Sequence, residues 1–241
     1  MLEKKTVFTV ATFHCDSRGR MQPHALMHQV QEIASRHAEE LGVGYDWMER
    51  NGYYWVLVNF RMEFLSIPRY SDTVMIRTWP SGLDLLRAFR DFKGTDLRGN
   101  ALFRATSDWM VIDSKRMRPV MIKDLDLDFE YAEERLIRDP ERLLPAGDFR
   151  DTCKIDVPYS SIDMNGHVNN TEYVRWGVDA MRKVVGEDPN IKDLQITFLA
   201  EVFKGDELVV QTYGSGDGPV RIRGKRTRDK KDVFVMDISF A

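Results

Sequence analysis

Cysteine is nearly absent. The two present, Cys15 and Cys153, cannot build a disulfide framework or a cysteine-based zinc site by themselves. Long apolar runs are missing too: nothing approaches ~18 uninterrupted apolar residues, which excludes a membrane-spanning helix. The opening stretch, MLEKKTVFTVATFHCDSRG, has no apolar core followed by a small-residue cleavage site, so it does not read as a secretory signal. Charge of one sign is not in excess. Thirty-five Lys and Arg against thirty-eight Asp and Glu leave −3, which argues against a nucleic-acid partner. These absences predict a cytoplasmic protein with reduced thiols. What is present is ordinary globular material, 43% hydrophobic over 241 residues, enough for one large domain or two units of ~120 residues.

The pattern along the chain repeats once. Thr6–His14 reads as a strand, rich in β-branched and aromatic residues, and Asp16-Ser17-Arg18-Gly19 supplies a turn. From Pro23 the period changes: Leu26, Val30, Ile33, His37 and Leu41 mark one face of a helix that Gly42 and Gly44 end. Strands are expected over 55–64, 73–79, 85–93 and 101–113. Residues 124–141 hold eight acids and two arginines, which suits a solvated connection. We place units at 1–125 and 151–241, with a linker over 126–150. After it the order returns: a strand over 152–159, a loop over 160–168, and a helix presenting Tyr173, Gly177, Ala180, Met181 and Val184. Strands then fit 193–202, 207–213, 220–227 and 232–240. Asp16-x-x-Gly19 matches Asp163-x-x-Gly166, and Ser71-Asp72-Thr73-Val74 matches Gly205-Asp206-Glu207-Leu208. The fold class is therefore α+β, an internal duplication with a curved antiparallel sheet around one helix in each half.

Of five histidines, four lie in the first half. His24 and His28 stand four apart, a chelating separation, but neither a following Glu nor a third ligand accompanies them, so no metal site is expected. His167 is different. Asp163, Asn165 and His167 alternate through the loop before the second helix, and in an extended loop they would project to one side. The helix start at Asn169 or Asn170 aims backbone N–H groups and the positive dipole end at the same region. An acid, an amide and an imidazole together can move protons and hold an oxyanion. The same residues equally suit a capped loop with an Asx-turn. Glu201 lies in Ile196-Thr197-Phe198-Leu199-Ala200-Glu201-Val202-Phe203, an otherwise apolar stretch, where a carboxylate is costly unless paired or functional. The matching first-half position is Ile67, and Asp16-Ser17-Arg18-Gly19-Arg20 has neither Asn nor His. The polar site thus belongs to the second half alone.

The stretch Asp163-Met164-Asn165-Gly166-His167-Val168-Asn169-Asn170-Thr171-Glu172-Tyr173 resembles the active-site motif of acyl-acyl-carrier-protein (acyl-ACP) thioesterases. Trp55-Val56-Leu57, Tyr70-Ser71-Asp72-Thr73-Val74, Thr78-Trp79, Arg90-Asp91-Phe92 and Arg104-Ala105-Thr106-Ser107-Asp108-Trp109 resemble that family's other signatures, in the same order over nearly the whole chain. The resemblance implies a tandem double hotdog and hydrolysis of fatty acyl-ACP to free fatty acid and ACP, without a cofactor. It carries the catalytic roles onto Asp163, Asn165, His167 and Glu201. Plant members have a cysteine after the Glu; here that position is Val202, which disfavours a Cys–His scheme. The absence of a plastid transit segment fits a bacterial-type cytosolic enzyme.

The resemblance also places the acyl-chain pocket in the first unit, where Trp55, Val56, Leu57, Phe60 and Met62 are expected to line it or simply to form core. ACP is acidic, so a basic docking face is expected. Residues 219–231 hold seven Lys or Arg and one Asp, and Arg221, Arg223 and Lys225 would share a strand face. A charge-protected edge strand is the other reading of that run. An acyl-CoA thioesterase of the same fold and a non-catalytic acyl-binding sensor are the alternative functions. A monomer or a homodimer is expected.

Overall fold

The first strand, β1 (Lys4–Thr9), alternates half-buried and exposed residues, the period of a sheet with one solvated face. Helix α1 (Pro23–Glu40) buries Leu26, Val30, Ile33 and His37, the predicted stripe, and its first residue is a proline, whose missing N–H would have no intrahelical partner there. The computed structural model describes residues 2–125, 127, 130–132, 134–137, 140–186, 189–214 and 218–240. It divides into two units, Met1–Asp139 and Pro140–Ala241.

In the first unit, α1 is followed by a short helix, α2 (Tyr45–Asn51), which the sequence reading missed, and by β2 (Tyr53–Phe64), β3 (Thr73–Leu83), β4 (Arg87–Thr95), β5 (Ala101–Asp113) and β6 (Arg118–Pro119). The strands pair antiparallel in the order β1-β3-β4-β5-β2, with β6 added to β5. The second unit contains β7 (Arg150–Asp156), α3 (Asn170–Val185), β8 (Ile191–Phe198), β9 (Glu207–Tyr213), β10 (Val220–Arg226) and β11 (Asp232–Phe240). Their order, β7-β9-β10-β11-β8, is the first unit's order again. Helix α3 packs on β7, β9, β10 and β11 through Tyr173, Gly177, Ala180 and Met181; Val184, in its last turn, is exposed.

The expected linker straddles the division, and several of its residues lie outside the described set. Its described residues are not simply solvated. Ala132 N–H donates to the Pro80 carbonyl (2.9 Å), and the Trp79 indole N–H donates to the Glu134 carbonyl (3.1 Å). Leu136 N–H binds the buried Asp91 carboxylate, which also accepts from Thr106 Oγ1 (2.7 Å) and Ser81 Oγ (3.1 Å). In the second unit, Leu143 N–H donates to Thr197 Oγ1 (3.0 Å). Composition hid this because the acids flank a few apolar residues, Ile137 and Leu143 among them, that are buried.

Each sheet carries the same close approach. Gly94 in β4 lies under Phe103 of β5, and Gly224 in β10 lies under Phe234 of β11. A Cβ on either glycine would sit 2.0 Å or 2.2 Å from the nearest ring carbon. The rings fill the space that a side chain would take, so the glycines let an aromatic lie flat across the sheet. Replacing Gly94 by Ala should therefore overpack the sheet and lower stability by about 1–3 kcal/mol. Urea unfolding checks this, and a midpoint equal to the wild type's would show that Phe103 moves aside freely.

Candidate active site

The loop carrying His167 is built twice, bond for bond. In the second unit Asp163 N–H donates to the His167 carbonyl (2.9 Å) and Gly166 N–H to the Asp163 carbonyl (3.0 Å); in the first, Asp16 N–H donates to the Arg20 carbonyl (2.8 Å) and Gly19 N–H to the Asp16 carbonyl (3.0 Å). Gly166 and Gly19 hold φ at +79° and +72°, a region that costs a side chain and not a glycine. The turn is tied to a distant segment by Val168 N–H to the Val202 carbonyl (2.9 Å), matched by Met21 N–H to the Pro68 carbonyl (2.7 Å).

That frame decides where the four predicted residues go. Glu201 is not on a strand. Strand β8 stops at Phe198, where Leu199 and Ala200 both direct their N–H groups at the Val233 carbonyl and the ladder ends. Glu201 follows in the irregular stretch and turns back to His167, with Nδ1 and Oε1 3.8 Å apart and both side chains about one-third exposed. Phe203 stands edge-on to the imidazole at 4.9 Å between centroids. The expected alternation of Asp163, Asn165 and His167 is replaced by a tight turn. Asp163 Oδ1 accepts the N–H of Asn165 (2.9 Å), the Asx-turn, and Asn165 sits exposed at the tip. The group across from His167 Nδ1 is thus Glu201, and Asp163 is engaged with its own loop.

Supporting contacts surround the turn. Asn169 is the N-cap of α3: its Oδ1 accepts from Thr171 N–H (3.0 Å) and Thr171 Oγ1 (2.7 Å). One first-turn donor expected to face an oxyanion is therefore spent on the cap. Asn169 N–H donates to the Ser161 carbonyl (2.9 Å), and Ser161 Oγ donates to the buried Glu172 (3.1 Å). Tyr173 lies beneath, 3% exposed. Burial raises its phenol well above the usual range, the charges of Glu201 and Asp163 add to this, and the Val202 backbone hydrogen-bonds it in opposition. It stays a neutral hydroxyl. The sequence reading took Tyr173 only as part of the helix's packing face, and Arg226, described below, only as part of the basic run.

The remaining predicted residues fall in two places. Trp55, Leu57, Phe60 and Met62 share one face of β2, because a bulge between Leu57 and Asn59 absorbs the odd spacing; Val56 points to the other face. Leu57, Phe60 and Met62 are buried, while Trp55 is half-buried beside α2, its indole N–H on the Val43 carbonyl (2.8 Å). Arg221, Arg223 and Lys225 do alternate on β10, but β10 lies between β9 and β11, so it is not an edge strand. Arg221 is forked onto Asp237 (2.7 and 2.6 Å). Arg223 donates to Gln211 (2.6 Å) and stacks 4.2 Å over the Phe149 ring. Two of the three charges are thus partnered within the sheet. His24 and His28 present their rings edge-to-face at 6.5 Å, and the described residues contain no group of three or more His, Cys, Asp or Glu that could hold a metal. No helix among them is long and apolar enough to cross a membrane.

Residues 2–128 match the profile of the acyl-ACP thioesterase N-terminal domain, and residues 148–232 that of the acyl-ACP thioesterase C-terminal domain. The chain belongs to the acyl-ACP thioesterase family. Among its relatives, the chloroplastic oleoyl-acyl carrier protein thioesterase 2 of Arabidopsis thaliana is 24% identical over 245 residues, 92% of this chain and 65% of that protein. The chloroplastic palmitoyl-acyl carrier protein thioesterase of Cuphea hookeriana is 25% identical over 227 residues, 87% and 54% of the two chains. The chain thus spans between half and two thirds of the length of these curated relatives. An acyl-ACP thioesterase from Bacteroides thetaiotaomicron superposes with a TM-score of 0.89 at 23% identity, covering 99% of this chain and 98% of the other. The 12:0-ACP thioesterase of Umbellularia californica gives 0.84 at 19%, covering 100% and 98%. Both units are hotdogs.

The first-unit counterpart of the turn shows what different residues do in the same frame. Arg20, where His167 would stand, reaches back to Asp16 with Nε at 3.0 Å and Nη2 at 2.9 Å. Burial alone would raise the Asp16 carboxyl, but the N–H groups of Arg20 and Arg18 and the Arg20 guanidinium outweigh it and hold the group below its ordinary range. A carboxyl depressed in the folded state stabilises above its unfolded pKa and loses that contribution as pH falls through the folded value. Asp16→Asn should therefore lower the thermal midpoint at neutral pH, with the gap to wild type closing as pH drops into the acid range. A gap independent of pH would assign the loss to packing instead.

Proposed function

We propose that the chain hydrolyses the thioester of fatty acyl-ACP, releasing free fatty acid and ACP. The observation that carries this is the convergence of the His167 imidazole and the Glu201 carboxylate, 3.8 Å apart, in the half of the chain that matches the family's C-terminal domain. Water attacks the thioester carbonyl and Glu201 accepts its proton. The Asn165 carboxamide, exposed at the turn tip, donates to the carbonyl oxygen as it becomes an oxyanion. His167 protonates the departing thiolate, and the proton held by Glu201 returns to His167 across the gap between them, restoring both groups. Asp163 keeps the turn closed through the Asn165 N–H. The buried apolar face of β2, with Leu57, Phe60 and Met62, suits the acyl chain. No metal or dissociable cofactor enters this route, and we place the reaction in the cytoplasm.

Thiol release from matched ACP and CoA thioesters across chain lengths tests the proposal. Glu201→Gln and His167→Ala should each lower kcat by about 100-fold or more on ACP esters. If Glu201→Gln keeps near-full kcat, the base is elsewhere and Asp163 is next in line. Faster turnover of CoA esters would make this an acyl-CoA thioesterase, and acyl binding without turnover would make it a sensor.

Docking of the acidic carrier is a separate proposal. With Arg221 and Arg223 partnered in the sheet, it rests on Lys225 and on the exposed Lys230 and Lys231. Rising ionic strength should then lower kcat/KM for ACP esters. A flat salt profile would remove this patch from the docking surface.

A further inference from the structure

Within the basic run 219–231, one arginine behaves unlike the rest. Arg221, Arg223 and Lys225 stand on one face of β10, and Arg226, at its end, is turned the other way with its side chain 7% exposed. Its Nη1 donates to the backbone carbonyl of Glu201 at 2.6 Å. Its other edge is forked onto Asp229, Nε at 3.0 Å and Nη2 at 2.7 Å, and Asp206 lies 3.7 Å from Nη1. Asp206 in turn accepts Arg228 Nε (2.9 Å) and the Phe203 N–H (3.1 Å), closing the turn two residues beyond Glu201.

We propose that Arg226 is a positioning residue for Glu201. Glu201 has left the sheet, so no strand partner holds its peptide, and two bonds do so instead. Arg226 holds its own carbonyl and Val168 N–H holds the next one. A guanidinium suits this work because its planar fork locks onto Asp229 while one N–H remains aimed at the carbonyl. The two sheets support the assignment. Gly224 aligns with Gly94, which places Arg226 at the position of Asp96, a half-buried residue closing its own turn with Asn100 (2.8 Å). The unit with Ile67 in place of Glu201 therefore also lacks the arginine. Guanidinium and carboxylate occur together or not at all.

This rests on the catalytic reading of Glu201, and the test separates the two. With ACP esters as substrate, Arg226→Gln should lower kcat by about 10- to 100-fold, the cost of misplacing a group by roughly an ångström, with KM within about twofold. Arg226→Lys should recover part of that loss. In a Glu201→Gln background, Arg226→Gln should add nothing, because its effect passes through the carboxylate. An equal loss in both backgrounds, or an unchanged kcat in the single variant, overturns the assignment. The crystal structure of Arg226→Gln gives a readout that needs no turnover: the separation of His167 Nδ1 and Glu201 Oε1 should open beyond 3.8 Å. Were it preserved, the positioning role would fail even if activity fell. Displacement in a protein that hydrolyses no thioester would retain the positioning role and remove the thioesterase reading.

Discussion

The Val168 N–H donates to the Val202 carbonyl at 2.9 Å, and the geometry of the candidate site in the second unit hangs on that bond. His167 and Glu201 are thirty-four positions apart in the sequence, yet each immediately precedes one end of it. Fixing the two peptides fixes where the imidazole and the carboxylate start. The surrounding contacts serve the same geometry. Asn169 caps α3 and fastens the loop to Ser161, while Tyr173 fills the space beneath as a neutral hydroxyl. A backbone bond is a suitable anchor because it does not depend on side-chain identity, proline at the donor end excepted.

That independence is visible in the duplication. The first unit keeps the bond, from Met21 to Pro68, along with the turn, the glycine and the paired N–H groups of Leu65 and Ser66 on the Leu102 carbonyl, which repeat those of Leu199 and Ala200 on Val233. What it does not keep is the chemistry. Arg20 folds back on Asp16, and Ile67 offers no carboxylate. The fold thus supplies two equivalent frames, and residue identity alone makes one of them a candidate active site.

Much of this could be read in the sequence. The helices α1 and α3, the succession of strands along the chain and the repeat are written in periodicity, because each element buries one face against the same kind of partner. The site was less legible where local order gives way to hydrogen bonding. Alternation of Asp163, Asn165 and His167 assumed an extended loop, but a glycine at positive φ and an Asx-turn close it, leaving Glu201 to face the imidazole. Glu201 was read as part of a strand because its neighbours are apolar; the strand ends three residues earlier, at a carbonyl shared by two N–H groups. Arg226 was hidden by its neighbours. It counted as one more charge in a basic run, although the period of two that grouped Arg221, Arg223 and Lys225 sets it on the opposite face. The short helix α2 had too few residues to show a period at all.

The proposal that water is the nucleophile rests on what the nearby groups are already doing. Val202, where plant relatives of the family were expected to carry a cysteine, is wholly buried, and its carbonyl is committed to Val168. Its side chain contributes packing, so the position is structural in this chain. Both cysteines are thiols held from ionising, Cys15 and Cys153 alike pushed up by burial. A thiol so placed is a poor nucleophile, since the thiolate is the reactive form. Two hydroxyls flanking the turn are spent as well: Ser161 donates to Glu172, and Thr171 donates to the cap. Glu201 and His167, by contrast, are each about one-third exposed, open enough for water to reach the gap between them. A solvent-accessible carboxylate with an imidazole on its flank needs no covalent partner to open a thioester. Activation of water by Glu201 is therefore the step that these surroundings favour.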